Sequence, residues 1–354
     1  MKRYEPKNFE KNYEKYLLCL LTEGYKLYEN KDRAQKECNK ILRKLGDSGA
    51  VVNDESKNRY KIYNDPDKKE SIDFYNDLSD FLNAASCEHR KDLLFKANGL
   101  SKKGIMVYRK KDKKEYFTIQ SDQLGFSAVP WIYFSTKYPL SRYFEMQKNE
   151  EAAKFLTDYV LATRTLGGSF LWPESWYKAY NMSRGNGKNN KSDNKDNNKD
   201  NNIGYIEDRV DLTLLEIKHY FEYRELDDKK NFKFSKDRLF VHYKKTDAQT
   251  WFGFFDSFED YVDFFLFNDF VDKDKQTKEY TPINILTGEP FEKGYLNSET
   301  NTLKDIKDEK QLKAMLDLVM DKVANRTKKM EDLINEYKQT NDTKGEKHEN
   351  ILHE

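Results

Sequence analysis

Three arginines, Arg164, Arg184 and Arg209, stand with Asn181, Asp208 and Asp211 in the stretch from Thr163 to Phe221, and these are residue types that hold and process anions. A guanidinium presents a planar fork of donors that meets phosphate or carboxylate with two bonds at once. With the Asn181 amide, the three arginines form a candidate ligand-binding set. Asp208 and Asp211 would orient those arginines or move a proton, which makes them the candidate catalytic pair. The same groups also suit an internal Arg-Asp network that holds the helix starting at Val210 against the Gly167-Gly168 turn, and Asp208 suits a helix cap. Both readings stay open at this level.

Ser121-Asp122 would add a hydroxyl and a carboxylate to such a site, or form a turn at a strand end. His219 and His242 have no Cys, His or Glu partner at metal-ligand spacing, so no metal site is expected. The chain carries no Walker A sequence, no Gly-x-Gly-x-x-Gly and no Gly-x-Ser-x-Gly, so no cofactor is expected either. Cys19, Cys38 and Cys87 are odd in number and lack CxxC spacing, which argues against a disulfide framework or a zinc ribbon and fits a reducing cytoplasm.

Sixty-three basic residues against 62 acidic ones leave a formal charge of +1. No whole-molecule field draws this chain to nucleic acid or to an anionic membrane, so any phosphate contact must come from a local patch. The N-terminal residues are charged, and the apolar run from Tyr16 to Leu21 is far shorter than a bilayer span, so neither a signal peptide nor a membrane helix is expected. The oligomeric state is left open.

Positioning the candidate residues falls to an α+β fold that reads as predominantly helical. An N-terminal helical hairpin occupies residues 1–50, a main domain 60–338, and a flexible tail 339–354. Phe74, Tyr75, Leu78, Phe81 and Leu82 predict a helix, with Ser71 as its N-cap. His89-Arg90, ahead of the apolar pair Leu93-Leu94, reads as helix surface. Ile105 to Arg109 and Glu115 to Ile119 predict a β-hairpin whose lysine-rich tip reads as a solvated turn. Val129 to Phe134 reads as an edge strand or buried loop, and Arg238 to Tyr243 as a strand.

A helix over Glu150 to Ala162 delivers the chain to Gly167-Gly168, where at least one glycine is expected at φ > 0. Residues 186–202 contain eight Asn, four Lys and three Asp and predict a disordered insertion. Val210, Leu214, Ile217 and Phe221 mark one helical face. The stretch from Phe252 to Val271 is strongly aromatic, and within it Phe258, Tyr261, Val262 and Phe265 with Leu266 predict a helix buried on most of its circumference; Thr281 to Pro290 reads as irregular. A long amphipathic helix follows through Leu312, Leu316, Val319, Val323, Met330, Leu333 and Tyr337, broken in its apolar repeat at Arg326-Thr327.

Arg164-Thr165-Leu166-Gly167-Gly168 with Trp172-Pro173, Asn181-Met182-Ser183-Arg184-Gly185, Ile206 through Leu214, and Phe254-Phe255 to Phe270-Val271 together resemble an uncharacterised bacterial family, domain of unknown function 6994. The resemblance weakens toward Tyr60 and toward Asn325-Arg326. It implies which residues to watch and assigns no activity. With the arginine cluster and the aromatic surroundings, the expected function is an intracellular effector, of toxin or anti-phage type, acting on or binding nucleic acid or a nucleotide. The alternative is a non-catalytic interaction module whose Arg/Asp cluster is structural.

Overall fold

The computed structural model describes residues 72–99, 104–123, 159, 162, 165–173, 210–223, 250–292 and 309–350. Helix α1, Ile72–His89, buries Phe74, Tyr75, Leu78, Phe81 and Leu82 on one face, as their spacing predicts. Arg90 ends it by donating its backbone N–H to the Ser86 carbonyl at 3.0 Å. The next residues turn into strand β1, Leu93–Ala97. Strands β2, Ile105–Arg109, β3, Lys114–Gln123, and β4, Ser169–Pro173, complete an antiparallel sheet of order β1-β2-β3-β4.

Register aligns Phe95 with Val107 and Val107 with Phe117, which puts one apolar row on the core face. Strand β3 runs through Ser121 to Gln123 and pairs there with Leu171, Phe170 and Ser169. Ser121-Asp122 is therefore strand, not a turn. Gly104 enters β2 at φ +101, and a Cβ there would overlap the Ile119 carbonyl oxygen. The outer edge of β1 is closed by Asn83 of α1: its Nδ2 donates to the Phe95 carbonyl at 2.8 Å and its Oδ1 accepts the Phe95 N–H at 2.9 Å. A side chain that occupies the ladder positions of an edge strand blocks pairing with another chain.

Strand β4 buries all five of its residues, so no alternation of polar and apolar types marks it in the sequence. Helix α2, Val210–Tyr223, packs against helix α3, Phe258–Phe264, and the small sheet that follows it. The helix predicted from Phe258, Tyr261, Val262 and Phe265 is this short α3, which ends at Phe264. Asp256 and Ser257 stop propagation from the N-terminal side, with Ser257 capping the Asp260 N–H at 3.2 Å. Leu266, at φ 56, ends α3 from the other side, and the Phe267 N–H reaches the Val262 carbonyl at 2.9 Å.

Thr281 to Pro290, expected to be irregular, is paired at its two ends around an ordered turn. Strands β5, Val271–Lys273, and β6, Tyr280–Pro282, form one hairpin, and a bridge from Ile283 to Pro290 begins a second. Both turns follow one scheme. In Asp274-Lys275-Gln276-Thr277-Lys278-Glu279 and Asn284-Ile285-Leu286-Thr287-Gly288-Glu289 the first side chain accepts a backbone N–H two residues on. The fifth residue takes φ 63 or 77, and the fourth hydroxyl accepts the sixth N–H.

Helix α4, Glu309–Asn350, buries Met315, Leu316, Val319, Val323, Met330 and Ile334 and packs on α1 and the turn at Leu166–Gly168. It remains helical past Gln339. The described residues confirm an α+β fold with one large apolar core and a small separate cluster of Leu212, Leu215 and Phe291. Tyr159 and Ala162 are helical, as predicted for Glu150 to Ala162. Residues 1–50, Ser71, 129–134, 186–202 and 238–243 lie outside the described residues.

Candidate functional site

Of the residues nominated by the sequence, Asp211 is described, whereas Arg164, Asn181, Arg184, Asp208 and Arg209 lie outside the described residues. Asp211 sits in the first turn of α2, fully buried, and its Oδ2 accepts the Ile285 N–H from the second hairpin turn at 2.9 Å. That bond fastens the start of α2 to the hairpin pair. On the same helix, Lys218 meets Glu279 and donates to the Tyr280 carbonyl at 2.9 Å. His219 beside it is 8% exposed, and burial together with the Lys218 ammonium pushes its imidazole down to about 4.

The neighbour of Arg164 is fixed as firmly. Thr165 donates its hydroxyl to the Ala162 carbonyl at 2.7 Å and lies 2.7 Å from the Thr327 hydroxyl. Thr327, on α4, accepts the Gly167 N–H at 3.1 Å, and its single hydroxyl proton is shared between the Thr165 hydroxyl and the Val323 carbonyl at 2.8 Å. The turn Leu166–Gly168 is a 3-10 turn, and neither of its glycines has a positive φ among the described residues. The expectation of φ > 0 there is corrected. Gly167 is required instead by close approach, because a Cβ on it would overlap Thr327 Oγ1 and the Val323 carbonyl oxygen.

Immediately before Thr327 on α4, Arg326 is 1% exposed. Its Nε donates to the Phe265 carbonyl at 2.8 Å, and its Nη1 donates to the carbonyls of Gly167 at 2.6 Å and Ser169 at 2.7 Å. The guanidinium lies 3.9 Å from the centre of the Phe267 ring, which in turn stacks on Phe170 and through it on Trp172. Burial lowers its pKa to about 9, so it stays charged at neutral pH. Among the described residues it has no carboxylate partner.

Arg90 is the second buried guanidinium. Its Nε donates to the Phe254 carbonyl at 2.9 Å, its Nη2 pairs with Asp260, and it lies 4.4 and 4.5 Å from the Phe255 and Phe264 rings. The sequence placed Arg90 on a helix surface and missed the roles of Arg326 and Thr327. Two polar residues inside an apolar helical stripe were the available signal. Among the described residues no group of three or more His, Cys, Asp or Glu could hold a metal ion, and no helix is long and apolar enough to cross a membrane.

Comparison with known proteins gives one family. A model described as "Family of unknown function (DUF6994)" matches residues 58–330. No curated protein and no solved structure matches the chain.

Proposed function

The chain belongs to the DUF6994 family, and we propose that it binds a phosphate-bearing ligand, a nucleotide or a nucleic acid, through Arg164, Arg184 and Arg209 with Asn181. The supporting observation is how the neighbours of the two outer arginines are held. Arg164 directly precedes Thr165, which hydrogen-bonds to α4, and Arg209 directly precedes the buried Val210 and the anchored Asp211. An arginine next in sequence to an anchored residue gives up less freedom on binding an anion than one far from any anchor. In this reading Asp211 secures the start of α2, and any proton transfer falls to Asp208. An intracellular effector of toxin or anti-phage type is the setting in which such a ligand would be used.

Thermal shift against a panel of nucleotides and oligonucleotides tests this, with wild type compared to Arg184→Ala. Stabilisation by a phosphate-bearing ligand that disappears in the variant is the expected result. Stabilisation that survives places the site elsewhere. The second reading, an interaction module with a structural cluster, is favoured by the full burial of Asp211 and its bond to Ile285. It predicts that Arg209→Ala lowers the melting temperature and that no member of the panel raises it.

A further inference from the structure

The β2–β3 hairpin ends in Arg109-Lys110-Lys111-Asp112-Lys113-Lys114, five cations and one carboxylate in a chain whose formal charge is only +1. Residues 110–114 are exposed. Asp112 is spent within the tip: it pairs with Arg109, accepting the Nε–H at 3.0 Å, and also accepts the Lys114 backbone N–H at 3.1 Å. That leaves Lys110, Lys111, Lys113 and Lys114 with no carboxylate within ion-pair distance among the described residues. Lys329 has one such partner, and Lys218 and Lys338 have two each. The Lys110 N–H donates to the Asp92 carbonyl at 2.7 Å, which ties the tip to the turn that carries exposed Lys91.

Four like charges on one turn repel one another, and nothing in the hairpin needs them, since Lys113 at φ 52 would be easier as glycine or asparagine. We propose that this tip is a second contact surface, which places its lysines on the phosphates of duplex DNA. A two-stranded ribbon has the width of a B-form major groove, and lysines at its end reach the flanking phosphate rows. The Asp112 bonds hold the ribbon end in shape before binding, which reduces the ordering cost. The tip offers no apolar side chain to insert into a bilayer, which favours nucleic acid over a membrane surface. The inference is independent of the arginine cluster, because it rests on a different segment.

Fluorescence anisotropy of a labelled, mixed-sequence DNA duplex with the full chain, from about 50 to 200 mM salt, provides the test. The variant carries Lys110→Ala, Lys111→Ala, Lys113→Ala and Lys114→Ala, all at exposed positions, with an unchanged melting temperature as the check on folding. Each lysine that meets a phosphate adds about 0.9 to the slope of log K against log salt. The variant is expected to bind at least about tenfold more weakly and with a shallower slope. Replacing the same four lysines by arginine should retain binding. Equal affinity and slope in wild type and alanine variant overturn the proposal, as does a wild type that binds anionic phospholipid vesicles and no duplex. Arg184→Ala separates the two sites: if it abolishes duplex binding while the tip variant keeps it, the cluster reading stands and this one fails.

Discussion

Arg90 and Arg326 are the same device built in two ways. Each is a buried guanidinium packed on phenylalanine rings and bonded to the backbone of the segment before or after α3. Arg90 meets a carboxylate, Asp260, whose side chain is 27% exposed. Arg326 meets three carbonyls and no carboxylate among the described residues. The difference lies in what each partner does when the arginine is gone. Asp260 can hydrate, whereas carbonyls sealed beneath α4 cannot. Burying a charge on neutral carbonyls therefore locks the surrounding turn more tightly than an ion pair at the edge of the core does.

The sharpest way to break this comparison is Arg326→Met. It leaves three buried acceptors without a donor at roughly 1–3 kcal/mol each, partly offset by no longer burying a charge, for a net loss of about 4 kcal/mol. Urea unfolding measures it, and a loss below that of Arg90→Met would reverse the argument. Gly167→Ala should cost about 3 kcal/mol, because the added methyl meets α4 backbone and the Thr327 hydroxyl, neither of which yields easily. A melting temperature equal to wild type would show that α4 can shift at no cost.

His219 sharpens the contrast, because imidazole, unlike guanidinium, can shed its charge when buried. Its pKa falls from 6.5 to about 4 on folding, so below pH 6.5 the unfolded chain takes up a proton that the folded chain refuses. Stability is then complete above about pH 6.5, falls as the pH is lowered toward 4, and levels off below it. Between pH 6.5 and 5 this amounts to about 2 kcal/mol. The pH dependence of the urea midpoint should be flatter in His219→Gln than in wild type, and parallel curves would contradict the assignment. The smallest effect belongs to Arg90→Met, about 1–2 kcal/mol by the same unfolding measurement, since Asp260 gains water and keeps the Asp256 N–H at 2.9 Å.

How much of this was legible in the sequence depended on periodicity. Helices α1, α2 and α4 carry apolar residues on one face, and the β2–β3 hairpin has β-prone runs around a charged turn. Both patterns survive in a single chain. Strand β4 lies inside the core on both faces, so Phe170-Leu171-Trp172 carries no period to read, whereas α3 keeps Glu259, Asp260 and exposed Asp263 opposite its buried aromatics and was legible as a helix. The twin hairpins did leave a trace, an Asp or Asn followed by Thr-Lys-Glu or Thr-Gly-Glu, which is turn chemistry and not periodicity. Gly167 was recognisable as special, but for the wrong reason, because close approach to a helix 160 residues away leaves no local mark. Five of the six nominated site residues lie outside the described residues, so the structure bears on the site through Asp211 and through the neighbours of Arg164 and Arg209.

The bond between the Gly167 N–H and Thr327 also sets an order in time. At about 5–20 residues per second, a ribosome that has released Gly167 needs roughly 8 to 30 s more to deliver Thr327. Strands β1 to β3 pair with near neighbours along the chain and can form in that interval. The Leu166–Gly168 turn cannot acquire its clamp, nor the carbonyls of Gly167 and Ser169 their donor, until α4 has been made. Nascent chains that stop short of α4 thus present this part of the sheet unfastened, and its completion is coupled to the synthesis of α4.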